Sequence, residues 1–161
     1  MIHNSHSITT RYNAALNDAA KRLSSLEVAN GRPIKIKGLS GWIFEQTVRT
    51  CLEEELSAQG ISPTIEDQVP IGGRASADLK VGCAVIEIKA AGFFGGDEGT
   101  RYLGYRNNIE AKGWHYLYLT LHETYRPYVE VAQNAFGKEK AFFLDQGDSW
   151  ESFVSTVIRL S

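Results

Sequence analysis

The residues best equipped for chemistry lie in one short stretch, Ala75-Ser76-Ala77-Asp78-Leu79-Lys80-Val81-Gly82-Cys83-Ala84-Val85-Ile86-Glu87-Ile88-Lys89. Gly82-Cys83 reads as a two-residue hairpin turn, with glycine first as the II′ geometry prefers. Val81 then pairs with Ala84, Asp78 falls opposite Glu87, and Ser76 falls opposite Lys89. The two-residue period of a strand puts Asp78, Glu87 and Lys89 on one face. Directly opposed side chains have Cβ atoms about 4.5–5.5 Å apart, and like charges so placed repel. The other face of strand 84–90 carries Ala84, Ile86 and Ile88, which makes this strand central. Two carboxylates converging near a core are costly unless something positive lies between them. A divalent cation meets that need, and Mg²⁺ typically takes one or two carboxylates together with phosphate and water. Lys89 is then placed to orient or activate an attacking water and to offset charge on a pentavalent phosphate. Spacing alone leaves a competing reading open. Lys80 lies on the same face, diagonal to Glu87, so Lys80 and Lys89 would neutralise the acids in a surface ion-pair ladder.

These residues need a scaffold, and the hydrophobic pattern supplies a mixed α/β one. Tyr12, Leu16, Ala19, Leu23 and Leu26 recur at helical spacing between about residues 9 and 29, with Asn30-Gly31 as a stop. A basic connector, 32–38, leads to a second helix over about 40–59, with Ile43, Phe44, Val48, Cys51, Leu52 and Leu56 inward. Strands are expected at about 64–71, 75–81 and 84–90. A loop, Gly92-Phe93-Phe94-Gly95-Gly96, follows the strand that carries Glu87 and Lys89, where it would approach a bound phosphate backbone or simply connect two elements. Asp97 is the expected cap of a helix over about 98–112, with Tyr102, Tyr105 and Ile109 inward. A strand over 114–121 follows, its alternating Trp114, Tyr116 and Tyr118 read as core packing. A short helix from Pro127, a strand over 141–144 and a last helix capped by Ser149 complete the chain.

Asp78-x8-Glu87-Ile88-Lys89 resembles the motif of the PD-(D/E)XK nuclease superfamily, with its restriction-endonuclease-like fold. Gly41-Trp42-Ile43-Phe44-Glu45-Gln46-Thr47-Val48-Arg49-Thr50-Cys51-Leu52 resembles the first core helix of that fold, and Glu45 matches the helix acid that completes the metal site in many members. Arg101-x3-Tyr105 is similar to a Gln-x3-Tyr element of some branches, with Arg in place of Gln. Ala77 stands where many members have proline before the first acid.

The resemblance spans about residues 39–121 and implies an α-β-β-β-α-β core, a mixed sheet flanked by helices. Residues 1–38 add a helix and connector, and 122–161 add the C-terminal strand and helices of the same single domain. It implies that Asp78, Glu87, Glu45 and the backbone carbonyl of Ile88 hold one or two Mg²⁺ ions, with Mn²⁺ able to substitute. Lys89 would stand beside the nucleophile as an electrostatic stabiliser. The implied activity is metal-dependent phosphodiester hydrolysis by an endonuclease, with DNA as the preferred substrate and RNA as the second. Lys35, Lys37, Arg101, Tyr105 and Arg106 are the expected nucleic-acid contacts. The alternative is a nuclease-like domain that binds nucleic acid or a partner protein without cleaving.

Composition bounds these readings. The 161 residues, 43% hydrophobic, suit one domain with one continuous core. No apolar run approaches the roughly 20 residues of a membrane span, and nothing at the N-terminus reads as a secretory signal. Cys51 and Cys83 lack metal-ligand spacing and are expected as reduced thiols of a cytoplasmic protein. The net charge is −2, yet residues 1–50 hold seven basic and three acidic side chains. That asymmetry points to a basic face around Lys21, Arg22, Arg32, Lys35 and Lys37. His3, His6, His115 and His122 form no metal-ligand set by spacing, and the first two are expected in a mobile terminus. A homodimer would suit cutting of both strands of a duplex.

Overall fold

The computed structural model describes residues 1–92, 96–122 and 126–161. The chain forms α1 (Ser5–Asn30), α2 (Leu39–Ala58), β1 (Ile65–Gly72), β2 (Ala75–Val81), β3 (Ala84–Ala91), α3 (Gly96–Glu110), β4 (His115–His122), α4 (Arg126–Phe136), β5 (Ala141–Phe143) and α5 (Ser149–Leu160). The five strands make one mixed open sheet in the order β1-β2-β3-β4-β5. β1, β2 and β3 run antiparallel in a meander, whereas β3, β4 and β5 are parallel. The parallel pairs require crossovers, which α3 and α4 provide.

The faces of the sheet are covered by different helices. Leu79, Val81, Ala84, Ile86, Ile88, Leu117 and Leu119 pack with side chains of α1, α2 and α5. Ala77, Val85, Tyr116, Tyr118 and Phe143 pack with side chains of α3 and α4. Trp150, Phe153, Val154 and Val157 of α5 are all buried, as their helical spacing predicts. The three-layer α/β architecture is therefore the mixed fold expected from the pattern.

Ala77 and Leu79 are two residues apart on one strand, yet they belong to opposite layers. A regular strand keeps such residues on the same face. The turnover occurs at Asp78, flanked by the register pairs Asp67↔Leu79 and Val69↔Ala77. Facing Asp78 across this gap in the pairing is Gln68, with φ 50°, a left-handed conformation uncommon in a non-glycine residue. Local irregularity of this kind bends strands and re-aims side chains. The turn matches expectation: Val81 pairs with Ala84, Gly82 has φ 56°, and Cys83 is not in the positive-φ region, which is the II′ combination. The expected pairs of Asp78 with Glu87 and Ser76 with Lys89 are not formed, because the register ends at Leu79↔Ile86.

Some boundaries differ from expectation. α1 starts at Ser5 because Asn4 caps it, accepting from the Ser7 N–H while Ser7 Oγ receives the Asn4 N–H. Only Ile8 and Tyr12 of α1 are buried, and Leu26, expected inward, is 52% exposed. The far half of this 26-residue helix runs past the elements that cover its start. Asp97 lies inside the first turn of α3 and not at its cap, since Gly96 already begins the helix. Ser149 is likewise the first residue of α5, with Asp148 at the cap, and Ser149 Oγ donates to the Gln146 carbonyl. Residues 93–95 of the glycine-rich loop lie outside the described residues.

The N-terminus does not behave as a loose end. The N–H groups of Ile2 and His3 donate to Glu55 at 3.1 and 2.7 Å, and Trp150 Nε1 donates to the same buried carboxylate at 3.2 Å. Three donors hold the Glu55 carboxyl below its ordinary range although burial pushes it up. Cys51 is buried and Cys83 exposed, and both are free thiols.

Candidate active site

The site begins at the fork between β2 and β3. Register pairing of these strands runs from Val81↔Ala84 to Leu79↔Ile86 and goes no further. Beyond it, the Asp78 carboxylate accepts the Ile88 N–H at 2.7 Å. In a strand the N–H and C=O of one residue point to the same edge, so the Ile88 carbonyl also faces β2. Asp78 thus occupies the seam between the two layers, and its turnover is what lets residues from both layers reach it.

Glu45 arrives from one layer, on α2, whose buried stripe Ile43, Phe44, Thr47, Val48, Cys51 and Leu52 fixes the helix against the sheet. Its carboxyl group hydrogen-bonds to Asp78 and is raised to about 7, first by burial and then by the charges of Asp78 and Asp67. This contact raises Glu45 and works against the rise of Asp78. Burial nonetheless leaves Asp78 above the ordinary carboxylate range, against the Ile88 N–H and the Lys89 charge.

Glu87 belongs to the other layer. It is raised to about 8 by burial and by the charge of Asp78. Tyr116 donates its hydroxyl to Glu87 Oε2 at 3.0 Å, and Tyr102 donates to Oε1 at 3.3 Å. Both phenols are pushed above their ordinary range by burial and by the Glu87 charge. Lys89 forms an ion pair with Glu98 of α3, and its Nζ lies 5.4 Å from the centre of the Tyr102 ring. Sequence reasoning missed Glu98 and the two tyrosine hydroxyls. Tyr102 and Tyr116 read as core because their rings are core, and Glu98 carried only the bland signal of an acid in a first helical turn.

The ion-pair ladder requires Lys80 to face Glu87. Lys80 turns instead to Glu66 of β1, at 2.7 Å, with its Nζ 4.6 Å above the Trp114 ring. That leaves Glu45, Asp78 and Glu87 as inward acids, each raised in proton affinity by burial, and Glu45 and Glu87 further by the charge of Asp78. Hard oxygen donors carrying excess negative charge fit Mg²⁺ or Mn²⁺.

The expected nucleic-acid contacts divide. Lys35 and Lys37 are exposed on the connection before α2. Arg101 is 58% exposed and lies 3.8 Å from Glu98, which places it beside the Lys89 pair. Tyr105 is half-buried, edge-on to Tyr102 with ring centres 5.9 Å apart. Arg106 is half-buried and already engaged, with Glu110 at 2.8 Å at the surface and the Ala135 carbonyl at 3.5 Å.

A second group of donors lies elsewhere. Among the described residues, His3, Cys51 and Glu54 have ligand atoms all within 4.8 Å of one another, a closeness that the three inward acids do not match as a group. Arg11 already neutralises that cluster, its Nη1 3.7 Å from Cys51 Sγ and 3.0 Å from Glu54, while His3 Nε2 bonds Glu54 at 2.5 Å. Sequence spacing missed this grouping because α2 and the pinned N-terminus bring it together.

No protein-family model matches the chain, and no curated protein or solved structure matches it either. No helix among the described residues is long and apolar enough to cross a membrane.

Proposed function

We propose that the protein is a divalent-cation-dependent nuclease of the restriction-endonuclease-like type, hydrolysing phosphodiester bonds, with DNA as its substrate. The observation that carries this reading is the Asp78 carboxylate. It is anchored on the Ile88 N–H, lies against Glu45, and raises both Glu45 and Glu87 through its charge. Three acids from three elements, all raised by burial and two of them further by the charge of Asp78, are poised for a cation rather than for one another.

Asp78, Glu87, Glu45 and the Ile88 carbonyl would hold Mg²⁺, with Mn²⁺ as a substitute. The cation, when bound, supplies Lewis-acid polarisation of the scissile phosphate and acidifies an attacking water. The protein's own groups do the remaining work. Glu45 would release a proton to solvent on becoming a ligand, so the site would gain negative charge as it fills. Tyr116 and Tyr102 fix the orientation of Glu87 through its two oxygens. Lys89 leaves Glu98 for a phosphate oxygen and offsets the charge that develops there. Glu98 keeps the ammonium within reach until then and acts as a positioning residue.

The test is incubation of the protein with supercoiled plasmid, single-stranded DNA and RNA, with Mg²⁺ or Mn²⁺ and with EDTA. Nicking that requires the cation supports the proposal, and the preferred substrate identifies the polymer. The Lys89–Glu98 pair favours a second reading, binding without cleavage, because it neutralises the lysine. Retention of DNA that weakens with salt, ignores EDTA and gives no nicking would select that reading.

A further inference from the structure

We propose that Trp42 is a stacking platform for an unpaired nucleobase, so that the substrate of the Asp78 cluster is single-stranded or carries an unpaired segment beside the cut. The inference rests on the nuclease reading for the identity of the polymer. It begins with an aromatic side chain left in water. Trp42 is 58% exposed, whereas Trp150 is fully buried and Trp114 is half-buried beneath Lys80 and Lys112. Among the exposed large apolar residues of the described chain, Trp42 is the single aromatic.

Its position matters more than its exposure. Trp42 precedes Glu45 by three residues on α2, the spacing that sets two side chains on adjoining turns of one helix face, with Cβ atoms about 5–6 Å apart. The indole therefore flanks the acid that bonds Asp78. The chain leading to it is basic: from Val28 to Phe44 there are three cations, Arg32, Lys35 and Lys37, and no acid. All three are exposed, and Glu27 of α1 touches the same connector by accepting the Ile34 N–H at 2.9 Å, which leaves the cations in excess. A surface of this composition attracts a phosphate backbone and offers a flat apolar face to a base. Bases within a duplex are already stacked on both sides and cannot reach that face, whereas an unpaired base can.

The experiment is a fluorescence titration with a short oligothymidylate in EDTA, where cleavage is blocked. Wild type should show quenched tryptophan emission, because the exposed indole is the one a base can cover. Trp42→Ala should lose the quenching and bind about ten- to a hundredfold more weakly, while Trp42→Phe keeps most of the affinity. A blunt duplex should bind wild type and Trp42→Ala alike. Equal oligothymidylate affinity for wild type and Trp42→Ala, or absence of binding by wild type, would overturn the proposal. Quenching by a protein that never cleaves in Mg²⁺ would keep the stacking site and overturn the nuclease reading. Cleavage with unchanged Trp42→Ala affinity would do the reverse.

Discussion

The N–H of Ile88 donates to the carboxylate of Asp78 at 2.7 Å, joining two strands at the point where their register pairing has already stopped. Continued antiparallel pairing would have given that N–H to the carbonyl of Ala77. The side chain takes the place of the backbone, and the fork this creates gives Glu45 and Glu87 a common neighbour. A backbone anchor also means that Asp78 cannot turn away when its charge is unsatisfied.

Lys89→Ala should separate binding from turnover. The substitution removes a positive charge near Asp78 and Glu87, so affinity for Mg²⁺ should hold or rise. Cleavage should fall about 10²–10³-fold, the usual scale for loss of a group that stabilises transition-state charge. Calorimetric titration of Mg²⁺ alongside a plasmid-nicking rate measures both. Parallel loss of cation binding would mean that Lys89 supports the site structurally.

The raised acids predict how stability depends on pH. A carboxyl group whose pKa is higher in the folded chain holds its proton more tightly there than in the unfolded chain, where the value is about 4.3. Its stabilising effect is present below about pH 4 and is lost as pH rises through the folded values, about 7 for Glu45 and about 8 for Glu87. In EDTA the melting temperature should therefore decline between about pH 5 and pH 8. Glu87→Gln should flatten that slope, and Mg²⁺ should restore stability most at the alkaline end. Thermal melts across this range check it.

Glu45→Gln should remove a proton from the cation-binding equilibrium. Wild type should release protons when Mg²⁺ binds near pH 7, because Glu45 and Glu87, raised to about 7 and about 8, must both ionise to become ligands. Calorimetry in two buffers with different ionisation heats counts them. The amide of the variant still donates to Asp78, so the fold should be kept. Proton release should drop, and affinity at pH 8 should be about tenfold weaker for want of one ligand.

Tyr116→Phe tests the support of Glu87. The lost hydroxyl is a buried donor to a carboxylate, a bond worth about 1.5–3 kcal/mol when the acceptor is charged. Destabilisation should consequently be larger at pH 8 than at pH 5.5, where Glu87 is protonated. The pH dependence of Mg²⁺ affinity should also shift upward. A loss of stability equal at both pH values would mean that the ring's packing, and not its hydroxyl, was disturbed.

How much of this was legible in the sequence differs by residue. The Gly82 turn fixed the hairpin register from two residues, and the apolar stripes of α2 and α5 named their own buried faces. Asp78, Glu87 and Lys89 followed from that register, and Glu45 from a resemblance. The turnover at Asp78 was not legible, because it coincides with a left-handed Gln68 in the neighbouring strand that no local motif announces. The alternation rule therefore misplaced the Asp78 side chain, which enters a seam. Lys80 could not be assigned either, since its partner Glu66 lies on a strand whose register no local motif sets. Leu26 illustrates the converse failure: helical periodicity marked it inward, yet an apolar stripe is buried only where another element lies beneath it.

The most direct test of the central claim is a calorimetric titration of Mn²⁺ and Mg²⁺ into wild type and Asp78→Asn, with plasmid nicking assayed on the same samples. The asparagine keeps an acceptor for the Ile88 N–H, so the EDTA-treated variant should melt at or above the wild-type temperature. Cation binding and nicking should both be present in wild type and both absent in the variant. Wild-type nicking that persists in Asp78→Asn would contradict the account.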